Sequence, residues 1–533
     1  MAKNKYTVMA GCLDERTSLY FIFITNLILG GFYYAFAGMD AMRFSALALA
    51  LAMFYDLLNI CGFPFAQAAY AAKAVDRNDY KTAVYVRKAS CVLSFSIAAL
   101  FAAVCIAAGR PLSALMLGVS APPEDITCAY LVMILIGVYA PVSCAVSWLR
   151  GFYQGVGEMR IDQRSQLLDC GAFYLFSFII MVIMVFGLHH NRASCVYALC
   201  GSMILAKLLT LGYYVLFDRL RYKKFKAMAK VQIILPMQKN KVFSSLLKFT
   251  APSLCMALCA GIFALTLSAG IYQTGASLSV KYVSVSAYHG LSGLMIAVFA
   301  LIPVLFASAQ FEHYAPIISR LGIDEDKKNA AIEKMLIRYM AYALAWAFML
   351  GCLGPEIVHL FYGTGLPVDG LLIMRIEAAV GLLAGLSVLT ARLMIILDLG
   401  GNAMAYALIS CAVHIGMFIL LPMRFGMEGM LYAGIASLSV FLFLCFTKIS
   451  NRREVSFTHV AVMTFRIILA CMAMNGVYAL IRLSGLPTSG TDVLFDGLIA
   501  AGMALAGAMV YTFVLSISGI TLKDASKQKK KTK

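Results

Sequence analysis

The chain predicts an all-α polytopic membrane protein of fourteen transmembrane helices, arranged as two parallel-repeat six-helix bundles followed by two C-terminal helices. Three observations carry this reading. Hydrophobic residues fill 62% of the 533 positions and charged residues 13%, where soluble domains run near 45–50% and about 25%. The apolar residues gather into runs long enough to cross roughly 30 Å of hydrocarbon, which takes about 20 helical residues. Lys and Arg fall almost wholly into every second connection between those runs. A closed barrel also satisfies backbone polar groups in lipid, but its strands are about ten alternating residues long. These runs are longer and continuous.

From the N-terminus the runs lie near 17–38, 45–72, 84–108, 126–149, 166–188, 193–217, 247–272, 282–310, 330–353, 370–398, 403–423, 428–448, 458–482 and 493–517. With the N-terminus cytoplasmic, the inner segments are 1–16, 73–88, 150–164, 219–248, 312–338, 392–402, 448–453 and 523–533. They hold 35 of the 44 Lys and Arg. Arg43, Arg110, Arg192, Lys281, Arg375, Arg424 and Arg482 fall outside, while Lys207 and Arg466 lie within spans. This is the positive-inside pattern, and one span more or fewer would scramble it downstream. A multi-pass protein of the cytoplasmic membrane with both termini inside is expected.

Basic loops facing anionic lipid head groups account for the net charge of +18, so no nucleic-acid partner is expected. The tail Lys527–Lys533 reads as a topogenic, lipid-contacting end. Ala35-Phe36-Ala37 mimics a signal-peptidase site, but the preceding run exceeds the 7–15 residues of a signal core. An uncleaved first helix is expected. The fifteen cysteines are scattered through the spans without a Cys-x-x-Cys pair. They read as packing residues, and no disulfide framework, metal site or cofactor is expected.

The largest inner segment divides the chain. Residues 1–217 form the expected N-terminal bundle, 218–246 a basic cytoplasmic linker and 247–448 the C-terminal bundle. Helices thirteen and fourteen with the basic tail occupy 449–533. The halves echo one another: Pro64 precedes Arg87 by 23 residues through Asp76–Lys81, and Pro316 precedes Arg338 by 22 through Asp324–Lys328. An even number of spans per half makes the repeat parallel, about an axis along the membrane normal. Two such bundles can rock about a cavity between them.

The connection after the fourth span is the most distinctive stretch. Arg150, Arg160 and Arg164 alternate with Glu158, Asp162 and Asp169, while Gly151, Gly155 and Gly157 permit close backbone approach. Charges this near a bilayer are costly and need partners or a task. The order Arg150-Gly-Phe-Tyr-Gln-Gly155, Met159, Ser165-Gln166 and Asp169 resembles the signature of the stage V sporulation protein B family. That family belongs to the polysaccharide and lipid-linked oligosaccharide flippases, in the superfamily that also holds multidrug exporters of the MATE type. Gly62-Phe-Pro64, Leu247–Pro252 and Pro316–Ser319 add to the resemblance. The chain departs from the family pattern at Ile161, Asp162, Asp169 and Cys170. Its first, second and eighth spans carry Asn26, Asp56, Asn59, Gln67, His289 and Gln310 where peptidoglycan-lipid flippases of the superfamily use arginines.

The resemblance implies a transporter that moves a polyprenyl-diphosphate-linked glycan by alternating access, for cell-wall or surface polysaccharide synthesis. Sugars and phosphate then need a sheltered cavity with cationic and hydrogen-bonding groups. The lipid tail stays in a groove that, by family analogy, helices thirteen and fourteen line. Asp56, Asn59, His289, Arg375, Glu377 and Arg392 are the expected cavity residues. Asp56 and Asn59, three apart, share a helix face. Lys207, Lys281, Asp398, His414 and Arg466 are the other polar residues in or beside spans. Each can also be a snorkelling side chain or an interhelical pair. Arg150, Gly151, Gly155, Glu158, Arg164 and Asp169 are expected to form a gate or hinge at the inner mouth. There, Asp169 can pair with Arg164 or another inner base, and Arg150 can cap the carbonyls ending the fourth span.

Enzymatic function finds little footing, because the chain has no Gly-x-Gly-x-x-Gly, Walker-type loop, His-Glu-x-x-His or nucleophile elbow. Without an ATP site, transport would run on gradients, potential or product consumption, with a coupling cation as a further expected partner. The alternative is a cation-coupled multidrug exporter of the MATE type. Such exporters generally place a carboxylate in the first or seventh span, and here Asp56 is the only early buried acid expected.

Overall fold

The computed structural model describes residues 31–118, 121–189, 194–232, 235–295, 302–320, 325–362, 370–453, 457–484 and 493–519. Residues 17–30 of the first expected span, with Asn26, lie outside them, as does the tail Lys527–Lys533. Among the described residues every regular element is helical. The protein is an all-α polytopic membrane protein. Among the described residues twelve helical stretches are long and apolar enough to cross a membrane, and each falls on one of the expected spans. The other two expected spans, the first and the eighth, each include residues outside the described set.

Local chemistry sets the boundaries. Helix α1 (Gly31–Cys61) stops at Gly62, and Pro64 opens α2 (Phe63–Asp76) at a position where a missing amide hydrogen costs nothing. No proline or glycine stands between Met39 and Phe44, so α1 runs through the expected outer connection and Arg43 sits on a helix. Asn78 turns the chain with φ +58°, and the Asp79 carboxylate accepts from Thr82 N at 3.0 Å to cap α3 (Tyr80–Ala107). The short α4 (Gly109–Leu117) follows. Helix α5 (Pro123–Val156) starts at a proline and ends on Gly157, whose φ of +88° is the left-handed cap that glycine adopts without strain. Helix α6 (Met159–Val182) runs into a single π-turn, Ile183–Gly187.

Helix α7 (Cys195–Val231) has 37 residues, about 55 Å. It therefore carries the first half of the basic linker, to Val231, as helix before α8 (Lys239–Ser277) begins. Gln232 Nε2 donates to Asp79 and Lys81 N donates to Gln232, which ties the linker to the α3 cap. Then come α9 (Tyr282–Met295), α10 (Ile302–Arg320), α11 (Glu325–Tyr362), α12 (Gly370–Ile396), α13 (Gly400–Leu420), α14 (Pro422–Phe425), α15 (Glu428–Arg453), α16 (Phe457–Leu483) and α17 (Val493–Ile517).

The chain forms two compact units. The first takes residues up to Val298 together with Leu399–Ser437. In it α5 packs on α2, α3 and α7, α6 pairs with α7, and α1 lies against α8 and α9. The second takes Phe299–Asp398 and the chain from Leu438 onward. There α12 packs on α10 and α11, while α16 and α17 pair with each other and with α11 around Ala341, Leu344, Cys471, Met474, Tyr478 and Tyr511. The Tyr511 hydroxyl donates to Ala341 O, tying α17 to α11. Large apolar side chains such as Leu100, Phe178, Phe443 and Leu505 are more than half exposed. Rows of this kind are liabilities in water and are the expected surface toward lipid.

Candidate functional site

The six expected cavity residues divide between the units: Asp56, Asn59 and His289 in the first, Arg375, Glu377 and Arg392 in the second. Asp56 sits on α1 and receives one hydroxyl on each oxygen. Tyr139 donates to Oδ2 at 2.8 Å and Ser143 to Oδ1 at 2.7 Å, both from α5. Tyr139 and Ser143 are four apart and so share a face. Asn59 Nδ2 reaches the same Ser143 hydroxyl at 3.4 Å. Asn59, Tyr139 and Ser143 are buried while Asp56 is half-buried. The result is a half-buried, hydrogen-bonded carboxyl group whose chemistry suits a cation or a sugar hydroxyl. The Tyr–x–x–x–Ser spacing in an apolar span was a signal available from the sequence.

His289 on α9 is buried, with Nδ1 at 3.5 Å from the Tyr272 hydroxyl of α8. Next to it lies a clasp that hydropathy missed because Arg43 and Asp125 looked like loop residues. Arg43 of α1 pairs with Asp125 of α5 through Nη1 to Oδ2 at 2.8 Å and Nη2 to Oδ1 at 2.9 Å. Tyr282 of α9 donates to Asp125 Oδ2 at 2.9 Å, and its ring centroid lies 5.7 Å from that of Tyr272. The clasp thus ties α1, α5 and α9 at the end that the charge bias assigns to the outside. Its bidentate, half-buried geometry is the kind that contributes.

The Arg150–Asp169 segment spans α5 and α6. Gly151 and Gly155 lie against the α2 backbone at Pro64 and Ala68. Arg150 does not cap α5; its Nε meets Asp162 Oδ1 at 2.8 Å. Asp162, one of the departures from the family pattern, is the hub. Gln154 and Gln166 donate to Oδ2 at 2.7 and 3.2 Å, and Tyr214 of α7 donates to Oδ1 at 3.3 Å. Asp169 pairs with Lys207 of α7 at 2.5 Å, not with Arg164, which is exposed. Glu158 meets Arg221 at 2.9 Å, an exposed pair of small energetic weight.

A second node at this end was also invisible to spacing. Arg87 of α3 pairs with Asp218 at 2.8 Å and lies over the rings of Trp148, Phe152 and Tyr222 at 4.8, 4.6 and 3.8 Å. Tyr153 also donates to Asp218 at 2.8 Å. Removing a partner from a desolvated pair strands the other charge. Arg87→Leu is expected to lower stability by about 3 kcal/mol, read as a lower thermal midpoint of the purified protein, and an unchanged midpoint would contradict the node.

In the second unit Arg392 reaches Ser308 Oγ at 3.5 Å and lies 5.5 Å from the Phe311 ring centroid of α10. Glu377 is buried, and neither of its oxygens has a hydrogen-bond partner among the described residues. Arg375 is exposed. Arg375 and Arg392 stand 17 residues apart on α12, about 25 Å along the axis, so one phosphate cannot touch both. Arg482 of α16 grips Glu356 of α11, Nη2 to Oε1 at 2.7 Å, a contact that no sequence spacing reveals.

No protein-family profile matches the chain, and no curated protein matches it. Solved structures share its fold. The lipid II flippase MurJ in an inward closed conformation is 13% identical, covers 95% of this chain and 99% of its own, and superposes with a TM-score of 0.58. The eukaryotic MATE transporter AtDTX14 is 13% identical over 86% of this chain and 100% of its own, TM-score 0.58. An inward-facing multidrug resistance MATE family transporter of the MOP superfamily is 14% identical over 84% and 99%, TM-score 0.57. The chain has the fold of the MOP superfamily transporters.

Proposed function

We propose that this protein is a transporter that moves a lipid-linked oligosaccharide or polysaccharide precursor across the cell membrane by alternating access, as the stage V sporulation protein B resemblance implies. The supporting observation is the C-terminal pair of helices. Helices α16 and α17 pack on α11 through a continuous apolar core, and likeness to the lipid II flippase extends over 95% of the chain, against 84–86% for the two MATE structures. Two added helices give a lipid-borne tail a protein wall to follow while its polar head crosses. Asp56 with its hydroxyl partners and Arg392 with Ser308 supply hydrogen-bonding and cationic groups in the two units. The Arg43–Asp125–Tyr282 clasp and the Arg150–Asp162 hub supply charge pairs at opposite ends, suited to gates that break and remake.

A cation-coupled multidrug exporter is the second reading, and Glu377 favours it. An unpaired carboxylate anion so buried costs several kcal/mol, so a proton or cation has to accompany any charge on it. Reconstitution decides between the two. Proteoliposomes holding fluorescent polyprenyl-diphosphate sugars are expected to show probe arriving in the opposite leaflet. No transfer for several glycans, alongside proton-driven dye efflux, would establish the exporter. In the same assay Arg392→Ala is expected to cut transfer about tenfold, the loss of one charge-assisted hydrogen bond to a phosphate, without lowering the amount of protein in the membrane.

A further inference from the structure

Helix α11 carries a proline at position 355, which has no amide hydrogen, so the carbonyl of Gly351 one turn earlier lacks its helical donor. Arg375 of α12 fills that vacancy, Nε to Gly351 O at 3.2 Å. The next carbonyl, Cys352 O, accepts from Arg482 Nη2 at 2.5 Å. The same guanidinium holds both oxygens of Glu356, with Nη2 at 2.7 and 2.9 Å and Nε at 3.1 Å from Oε1. Two guanidinium groups from different helices therefore converge on consecutive carbonyls of a third.

Their charges are not balanced. Glu356 is buried and committed to Arg482, whereas Arg375 is exposed and its two terminal nitrogens have no partner among the described residues. Backbone contact holds Arg375 by Nε alone, which leaves the planar Nη pair presented as a fork, the geometry that matches a phosphate bidentately. Beside Arg482, Leu480 and Leu483 are 68% and 82% exposed on α16. A cationic fork in the same unit as these exposed leucines suits a ligand with a phosphate head and a hydrocarbon tail. The charge bias assigns this end of the unit to the outside.

We propose that Arg375 and Arg482, set on the Gly351 and Cys352 carbonyls, form an outer-leaflet docking site for the diphosphate of the lipid-linked glycan as it leaves. This rests on the flippase reading. Arg375 makes the direct contact, Arg482 contributes field and position, and Glu356 limits the site to one net positive charge. Departure then stays possible: a fully uncompensated arginine pair would hold the product.

The test uses the full chain in phosphatidylcholine nanodiscs with farnesyl diphosphate as probe. Wild type is expected to bind it, and Arg375→Gln to weaken binding about tenfold, the loss of one charged contact, with an unchanged thermal midpoint. Glu356→Gln keeps the shape and removes the opposing charge, so binding is expected to tighten several-fold. Arg424→Gln, an outer-end arginine on α14, is expected to change nothing. Equal binding by Arg375→Gln, or weaker binding by Glu356→Gln, overturns the site. Inorganic pyrophosphate competing as well as farnesyl diphosphate would assign it to a free anion instead. Abolition of binding in phosphatidylglycerol nanodiscs would assign it to bulk phospholipid. If transport of every glycan probe fails while the arginine-dependent binding persists, the flippase reading falls and the lipid-diphosphate site stands.

Discussion

Replacing Asp56 with asparagine is expected to lower transport of a lipid-linked probe at least tenfold while leaving the protein folded. The separation of the two effects comes from the geometry. Asp56 is held by two hydroxyl donors, Tyr139 and Ser143, and hydroxyl groups rotate to suit an amide as readily as a carboxylate. Asparagine therefore preserves the α1–α5 contact and removes only the ability to carry charge. Tenfold corresponds to about 1.4 kcal/mol, within reach of one charge crossing part of a potential worth about 2.3 kcal/mol per 100 mV. The measurement is initial transfer rate in proteoliposomes with and without an imposed potential or proton gradient. Wild-type rate and gradient dependence in the asparagine variant would reduce Asp56 to a structural tether. Asp56→Ala serves as the contrast, because it also strands two hydroxyls and is expected to lower the thermal midpoint.

The second large effect is on stability. A Cβ on Gly151 would lie 2.4 Å from Pro64 O and 3.0 Å from Pro64 C, and one on Gly155 would lie 2.7 Å from Ala68 O. These obstacles are backbone, so α5 and α2 would have to part along their contact. Overpacking of this sort costs about 1–3 kcal/mol, and Gly151→Leu is expected at the upper end, read as a lower thermal midpoint in detergent. Gly171, on the adjoining α6, has nothing within 4 Å of the same added atom, so Gly171→Leu is the matched control and is expected to be near neutral. Equal midpoints for the two variants would refute close α2–α5 packing. The glycine pair also bears on motion: helices that touch by backbone slide or separate as a unit, which suits a hinge beside the Arg150–Asp162 hub.

Much of the architecture was legible because lipid imposes simple requirements. A span has to be apolar over about 20 residues, and basic residues favour the inner connections. Twelve described helices accordingly fall where apolar runs stand. Arg43 shows where that reading fails. A charged residue near the end of a run reads as a loop, yet nothing between Met39 and Phe44 breaks a helix, and Asp125 pays for the charge from another helix. Asp56 and Asn59 could be placed on one face by spacing alone; that Ser143 joins them could not.

The sequence by itself determined the membrane class, the twelve apolar stretches that the described helices fill, and the polar residues that lipid would not tolerate without cause. Local solvation energy decides those properties. Only the tertiary structure decided the partners: Asp162 rather than a backbone carbonyl for Arg150, Lys207 rather than Arg164 for Asp169, Glu356 for Arg482, and the ring box around Arg87. Such pairs join residues far apart in the chain, and their choice depends on which helix faces meet, a property of packing that no single span contains.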